Sequence, residues 1–190
     1  MFKILGISGS LRSGSVNSML LRAVRRLAPS GINVDLYRGL SALPLFNPDL
    51  EALGAPAEVA EMRSRIISSH ALLIASPEYA HGVSGVIKNA LDWMVGNDSF
   101  VNKPVGLLNS SPRANIAQAA LRETLRTMSA RVVPAACVTV GILGSGLDED
   151  GIVQHPETRT AILGVLRALA SHHAAATSGE VVRGEGESTG

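Results

Sequence analysis

The chain contains a single cysteine, no long hydrophobic run and no excess of charge of one sign. One cysteine cannot form an internal disulfide, and the N-terminus enters a predicted strand without a leader sequence, so we predict a cytosolic protein. No apolar run is long enough to span a bilayer. The formal net charge of +1 provides neither a basic stripe for nucleic acid nor an acidic docking surface. Composition therefore argues against nucleic acids and membranes as partners and favours a small-molecule ligand.

The length of the chain suits one domain and is too short for two. Its 190 residues, of which 46% are apolar, can fill one hydrophobic core. The end of the chain differs, because residues 178–190 are mainly Gly, Glu, Ser and Thr and have almost nothing to bury. We predict one domain over residues 1–177 and a disordered tail over residues 178–190.

Apolar runs typical of buried strands alternate with amphipathic segments typical of helices. Strands are predicted at residues 2–7, 32–36, 71–75, 105–108 and 131–140, and helices at residues 17–27, 56–69, 84–95, 114–128 and 156–174. This alternation predicts an α/β fold, a flavodoxin-like doubly wound parallel sheet of five strands in the order 2-1-3-4-5 with helices on both faces. Such sheets bind ligands at the carboxyl ends of neighbouring strands, here the first, third and fourth.

The loop after the first strand, residues 8–17, combines glycines with hydrogen-bonding side chains. These side chains belong to Ser8, Ser10, Arg12, Ser13, Ser15 and Asn17. The glycines let backbone N–H groups approach an anion, and Ser15 or Asn17 can cap the following helix. Many hydrogen-bonding groups and a single fixed charge suit one terminal phosphate monoester, as in a mononucleotide. The alternative is a serine-rich surface turn without a ligand.

Two better-known phosphate-binding loops do not fit this segment. Gly9 and Gly14 have the glycine spacing of a P-loop, but Ser15 stands where its lysine should be. Gly6, Gly9 and Gly14 are too far apart for the dinucleotide fingerprint. The sequence therefore argues against a nucleoside triphosphatase and against NAD held at this loop.

The loops after the third and fourth strands add a ledge and a polar rim. Pro77, Glu78 and Tyr79 form a stiff, partly apolar ledge, whereas Ser110 and Ser111 add hydroxyls and backbone N–H groups. This combination suits a flat heterocycle such as that of FMN, which carries hydride chemistry itself and needs no acid–base pair from the protein. Two alternatives stay open, namely that Glu78 ties down its turn and that Tyr79 packs between subunits.

Other reactive residues do not form sites. Cys137 lies in an apolar strand without an evident basic neighbour, which is typical of a buried, inert thiol. The five histidines show no metal-ligand spacing, so no metal is predicted. Only His81, in the second of the ligand-binding loops, could reach a bound substrate.

Apolar residues in two segments have poor prospects of burial within one chain. Residues 43–51 carry two prolines and several apolar residues, which is typical of neither a helix nor a polar loop. The helix at residues 84–95 carries Trp93 and Met94. We therefore predict a homodimer or a dimer of dimers. The alternative for residues 43–51 is a plain connector to the next helix.

Three motifs within residues 9–93 together resemble a known family. They are Gly9-Ser10-Leu11-Arg12-Ser13-Gly14-Ser15-Val16-Asn17, Leu43-Pro44-Leu45-Phe46-Asn47-Pro48-Asp49-Leu50, and Pro77-Glu78-Tyr79 continuing into Gly85-Val86-Ile87-Lys88-Asn89-Ala90-Leu91-Asp92-Trp93. The chain resembles the NADPH-dependent FMN reductase family of the flavodoxin-like superfamily, which includes quinone, chromate and azo-dye reductases. The resemblance covers most of the chain up to Met128.

The resemblance implies an oxidoreductase with FMN as cofactor and NADPH or NADH as reductant. The resemblance implies that two electrons pass by hydride transfer through FMN to a quinone-like, flavin, azo or metal-oxyanion acceptor. It also implies that subunits pair beside the flavin. Ser10, Arg12, Ser15 and Asn17 are then expected at the phosphate, residues 77–80 along the isoalloxazine and Ser110 or Ser111 on its other side. The full set expected to bind FMN is Ser10, Arg12, Ser15, Val16, Asn17, Pro77, Glu78, Tyr79, Ala80, Ser110 and Ser111, and the set expected at the substrate is Phe46, His81 and Arg113.

The chain departs from the family pattern at three places. One is Ser84, a neutral replacement of a frequent proline before the helix. Ala80 stands where the family often has asparagine, which removes one side-chain hydrogen bond near the ring, and Pro112-Arg113 replaces a glycine pair in the third loop. Two other functions are alternatives. A flavodoxin-type electron carrier without its own substrate would be strongly acidic for docking, which this chain is not. A binding protein that has lost the cofactor is disfavoured by the intact first loop.

Overall fold

The apolar runs form the strands of a parallel sheet. The computed structural model describes the backbone of residues 1–184 and the side chains of residues 1–178. Its strands are β1 (Phe2–Ser8), β2 (Ile32–Tyr37), β3 (Ala71–Ala75), β4 (Glu78–Tyr79), β5 (Gly82–Val83), β6 (Pro104–Asn109) and β7 (Arg131–Thr139). Five of them form one parallel sheet in the order β2-β1-β3-β6-β7. Numbered within that sheet, the order is 2-1-3-4-5, so the predicted flavodoxin-like fold is confirmed.

Helices connect successive strands and cover both faces of the sheet. They are α1 (Val16–Leu27), α2 (Pro48–Ala52), α3 (Ala57–Ile67), α4 (Gly85–Val95), α5 (Asn115–Thr127), α6 (Glu149–Gln154) and α7 (Pro156–Gly184). The side-chain oxygen of Ser15 accepts a hydrogen bond from the Ser18 backbone N–H, so Ser15 is the cap of α1. The described helices include none that is long and apolar enough to cross a membrane.

The sheet divides the hydrophobic core into two layers. Leu5 and Ile7 of β1 point to one face, where they pack with residues of α3, α4 and α5. Ile4 of the same strand points to the opposite face and packs with α1, α6 and α7. Strand β3 is buried along its whole length, as expected for a central strand covered on both sides.

Several elements differ from the sequence-based prediction, including α6, which lies where no helix was predicted. Residues 43–51 were expected to contain no helix, but α2 begins within them because Asn47 caps it and Pro48 stands in its first turn. The predicted second loop contains the antiparallel hairpin of β4 and β5. Helix α7 continues to Gly184, ten residues beyond the predicted end near Ala174.

The predicted tail of residues 178–190 is only partly described. Its first residues belong to α7, whereas residues 185–190 lie outside the described part of the chain. Disorder of the tail, and the predicted domain boundary at residue 177, stay predictions.

The expectation that Trp93 and Met94 have poor prospects of burial within one chain is wrong. Both side chains are fully buried, because the segment before α2 folds over α4. The Trp93 Nε1–H donates to the backbone oxygen of Pro44 at 2.8 Å, and the Trp93 ring packs edge-on against Phe46. Leu45 of the same segment is 82% exposed, so part of the predicted apolar surface remains.

Candidate functional site

The loops after β1, β3 and β6 surround one cavity at the carboxyl edge of the sheet. Its volume is about 590 Å³. We call it the flavin cavity, after the ligand that the sequence predicts there. All residues expected at FMN line it, together with two of those expected at the substrate: Ser10, Arg12, Ser15, Val16, Asn17, Pro77, Glu78, Tyr79, Ala80, His81, Ser110, Ser111 and Arg113. Phe46 does not line it, since its ring packs against Trp93.

In the first loop, the two polar residues nearest the start of α1 are buried. Ser15 is 4% exposed and Asn17 is 5% exposed. The Oδ1 atom of Asn17 is buried and has no hydrogen-bond partner among the described residues. A buried polar atom without a partner costs about 1–3 kcal/mol, so Asn17 leaves this wall of the cavity ready for a polar ligand.

The two glycines of the first loop have different roles. A side chain at Gly9 would meet Ser76 Oγ at 2.5 Å and Ile87 Cγ1 at 2.7 Å, so Gly9 allows the loop to pack against the end of β3 and against α4. A side chain at Gly14 would meet nothing within 4 Å. Of the two, Gly14 is therefore the position open to a ligand.

Glu78 connects the second loop to the start of α5. Its Oε2 accepts a hydrogen bond from the backbone N–H of Ala117 at 2.8 Å. Its Oε1 lies 2.9 Å from Nδ1 of His81. Because Ala114, at the N-cap of α5, has no side-chain acceptor, Glu78 supplies the capping carboxylate from a distant part of the chain. Both carboxylate oxygens are engaged, which favours the interpretation that Glu78 ties down its turn.

The turn between β4 and β5 has an unusual backbone. Ala80 and His81 have φ angles of +49° and +58°, a left-handed conformation that normally favours Gly or Asn. The hydrogen bond from His81 to Glu78 helps to hold this turn. Tyr79 at its base is 60% exposed and presents its ring at the cavity rim.

The third loop is fixed by Asn109, which sequence reasoning missed. The Asn109 Oδ1 accepts a hydrogen bond from the backbone N–H of Ser111, and its Nδ2 donates to the backbone oxygen of Ala114. These contacts keep the buried Ser110 and Ser111 at the cavity wall. The position of Asn109 at the end of a predicted strand was the available signal.

Three further cavity residues were not predicted from the sequence. Ser76 follows β3 directly, Ala114 precedes α5, and Leu143 comes from the loop after β7. The backbone N–H of Leu143 donates to the backbone oxygen of Ser110 at 2.9 Å, which brings this fourth loop to the cavity. Only Ser76 could have been found from its place after a strand.

Comparison with known proteins decides the family. The NADPH-dependent FMN reductase family model matches residues 2–143. The chain belongs to this family. An NAD(P)H-dependent FMN reductase of Pseudomonas aeruginosa is 38% identical over 172 residues, which is 88% of this chain and 92% of that protein. The predicted oxidoreductase class, with FMN as cofactor and NADPH or NADH as reductant, is therefore confirmed.

Other relatives agree with this family and with the fold. A quinone reductase of Escherichia coli is 32% identical over 112 residues, 57% of this chain and 60% of that protein. The solved structure of FerB from Paracoccus denitrificans, a flavoenzyme NAD(P)H:(acceptor) oxidoreductase, matches with a TM-score of 0.68 at 26% identity, covering 90% of this chain and 99% of that one.

The residues of the flavin cavity fit the cofactor of this FMN reductase family. Arg12 supplies a positive charge, the start of α1 supplies a favourable helix dipole, and Ser10 and Ser15 supply hydroxyls for a phosphate. FMN also carries ribityl hydroxyls, which can donate hydrogen bonds. Asn17 Oδ1 is a buried acceptor that has no donor among the described residues.

The charge of Glu78 predicts a pH-dependent contribution to stability. The Ala117 N–H and, next, His81 lower the pKa of Glu78. A lowered pKa in the folded state means stability that is present above the unfolded pKa of about 4.3 and is lost as the pH falls through the folded value. We expect the thermal midpoint to fall less steeply below pH 5 in Glu78→Gln than in the unsubstituted protein. Thermal unfolding between pH 3 and pH 6 measures this.

The control for this measurement is Glu58→Gln. Glu58 is exposed in the first turn of α3, far in sequence from the cavity. Its substitution should leave the steepness of the acid decline unchanged. If Glu78→Gln and Glu58→Gln follow the same curve as the unsubstituted protein, the carboxylate of Glu78 does not hold α5 in place.

Proposed function

We propose that this FMN reductase passes two electrons from NADPH or NADH, by hydride transfer through FMN, to a quinone-like, flavin, azo or metal-oxyanion acceptor. The observation that carries this proposal is the single cavity into which the first, second and third loops bring every residue expected at FMN. Bound FMN supplies the hydride chemistry, so the protein has to bind it, orient it and leave one face open.

The chain's own residues divide this work. Ser10, Arg12 and the start of α1 bind the phosphate. The β4–β5 hairpin, tied to α5 by Glu78, provides a rigid wall for the ring. Tyr79, His81 and Arg113 are exposed at the rim, where an incoming substrate contacts them.

The acceptor is proposed to be a small molecule. The chain's net charge of +1 is unlike that of an acidic electron carrier, and its family consists of reductases. We therefore do not propose that it is a flavodoxin-type electron carrier. We also propose a cytosolic location, supported by the single cysteine.

We further propose that two copies pair through the exposed apolar residues near α2 and α4. Leu45 is 82% exposed, Leu53 is 86% exposed and Val95 is 65% exposed. Apolar side chains this exposed are typical of an interface. Pairing there would cover the side of α4 that Trp93 does not bury.

Because one cavity serves both substrates in turn, we expect ping-pong kinetics. The chain has no second nucleotide fingerprint at which a nicotinamide cofactor could stay bound while an acceptor reacts. Oxidised NADP⁺ or NAD⁺ must then leave before the acceptor enters. Initial rates with a quinone at several fixed concentrations should give parallel double-reciprocal lines.

The same experiment tests the proposed function as a whole. The purified protein should carry the absorbance of FMN, and without an acceptor it should consume no more than about one NADPH per bound FMN. Intersecting lines would require a ternary complex and would refute the shared cavity. Protein that retains no flavin absorbance after incubation with FMN and removal of the free FMN would refute the function itself.

A further inference from the structure

Three aromatic rings meet where the strands of the sheet begin, at the edge opposite the flavin cavity. Phe2 starts β1, His70 directly precedes β3, and His173 lies in the second half of α7. The ring centroids of His70 and Phe2 are 5.6 Å apart, and the two rings are nearly parallel, at 9°. The His173 ring lies 4.8 Å from that of His70 and 5.2 Å from that of Phe2. We call these three residues the ring cluster.

The ring cluster attaches the end of α7 to the rest of the chain. Leu166 and Leu169 of this helix are fully buried, and His173 continues the same face one turn further on. His173 is half-buried, whereas the other side chains of residues 171–178 are all exposed. The end of α7 therefore depends on the contacts that His173 makes with the other two rings.

His70 also joins β3 to β1 through two hydrogen bonds with Lys3. The His70 backbone N–H donates to the Lys3 backbone oxygen at 2.8 Å, and the His70 Nδ1 accepts from the Lys3 backbone N–H at 2.8 Å. A ring nitrogen that accepts a hydrogen bond carries no proton, so His70 is neutral here, with its proton on Nε2. A protonated His70 would turn an Nδ1–H toward the N–H of Lys3, and this hydrogen bond would be lost.

The surroundings of His70 also favour its neutral form. Burial, followed by four basic groups that face it, lowers the pKa of His70 below its ordinary value. The four groups are His173 of α7, the Lys3 ammonium of β1, the amino group of Met1 and Lys103 just before β6. The face of the Phe2 ring attracts a protonated imidazole. Burial and the four basic groups act in the opposite direction, and the lowered pKa shows that they outweigh this attraction.

We propose that the ring cluster is a pH-sensitive attachment, which releases the end of α7 when His70 gains a proton. Protonation removes the hydrogen bond from Lys3 and places a positive charge beside His173, so the His70 ring no longer supports the end of the helix. Because the pKa is lowered in the folded protein, the attachment is complete above the unfolded value of about 6.5 and weakens as the pH falls through the folded value. The device involves neither FMN nor an acceptor, so it goes beyond the proposed function.

Hydrogen exchange of the FMN-loaded protein at about pH 7.5 and about pH 5 tests the proposal. Protection factors, which correct for the intrinsic effect of pH on exchange, should fall at pH 5 for the backbone amides of residues 171–178. The expected fall is about fivefold or more, since the loss of one hydrogen bond changes an opening equilibrium by about that factor. The amides of the central strand β3 should keep their protection. Glu78 stays ionised at pH 5, because its pKa is lowered, so its contact with α5 does not interfere.

His70→Asn is the decisive variant. The side-chain oxygen of asparagine can accept the Lys3 N–H as Nδ1 does, but it does not titrate, so protection of residues 171–178 should be the same at both pH values. The matched control is His172→Asn, which removes an exposed histidine of α7 outside the ring cluster. This variant should show the same fall in protection as the unsubstituted protein.

Two results would overturn the inference. One is equal protection of residues 171–178 at both pH values in the unsubstituted protein, and the other is an undiminished fall in His70→Asn. Nitrogen NMR of the His70 ring in the unsubstituted protein gives a second test, which holds even if His70→Asn loosens α7 at every pH. A proton on Nε2 alone at pH 7.5, joined by one on Nδ1 as protection falls, supports the attachment. A proton on Nδ1 at pH 7.5, or protection that falls while His70 stays neutral, refutes it.

Discussion

FMN binding is expected to weaken by about tenfold or more when Arg12 is replaced by alanine, because a hydrogen bond to a charged group contributes about 1.5–3 kcal/mol. Arg12 lines the flavin cavity within the first loop and forms no ion pair with a described carboxylate. Its guanidinium is therefore available to a phosphate. Quenching of flavin fluorescence on titration measures the affinity.

Riboflavin provides the internal control for this substitution. It has the same ring and ribityl chain as FMN but no phosphate, so Arg12→Ala should leave its affinity nearly unchanged. Arg25→Ala removes an exposed positive charge from α1 outside the cavity, so it controls for the change in net charge. Equal affinity of the unsubstituted protein for FMN and riboflavin would show that the first loop does not bind phosphate.

The sheet and the cavity were predictable because their signals are local. The apolar run of residues 71–75 forms β3, and the loops after β1, β3 and β6 that line the flavin cavity each directly follow a strand. Once strands and helices alternate, the carboxyl ends of the first, third and fourth strands must meet. Residues as distant as Ser15 and Ser111 could therefore be placed at one cavity from the sequence.

The contacts within the site were not predictable, because they join residues far apart in sequence. Glu78 caps α5 through Ala117, 39 residues away, and nothing in either segment indicates this partner. The hairpin turn at Ala80 and His81 lacks the glycine or asparagine that normally indicates a left-handed turn. A second cavity likewise brings together Arg12, Arg22 and Arg38 from three separate segments of the chain.

Burial of the α4 side chains is the clearest case in which sequence reasoning failed. The sequence shows no packing partner for Trp93 within its own helix, which favours an interface between subunits. Residues 43–47 of the same chain supply its packing and hydrogen-bond partners instead. The Pro44 oxygen accepts hydrogen bonds from both Trp93 Nε1 and Asn89 Nδ2. A proline-containing segment that covers a helix has no periodicity from which its position can be read.

Trp93→Ala is therefore expected to destabilise the folded chain by about 3–5 kcal/mol, the usual cost of removing a buried tryptophan. Trp93 is fully buried, packs against Phe46 and donates to Pro44, so the substitution leaves a cavity and removes a hydrogen bond. Urea unfolding at several protein concentrations measures the loss. Because the contacts lie within one chain, the loss should be the same at every concentration.

Two control variants distinguish this role from a role in pairing. Lys88→Ala changes an exposed side chain of the same helix that is not part of the proposed interface, and it should alter the free energy of unfolding within about 0.5 kcal/mol. Leu45→Asp places a charge on the proposed interface, so it should shift sedimentation toward the monomer. The opposite result is a Trp93→Ala variant that dissociates as Leu45→Asp does and loses less stability as the protein concentration rises. That result would show that Trp93 lies at the interface between subunits.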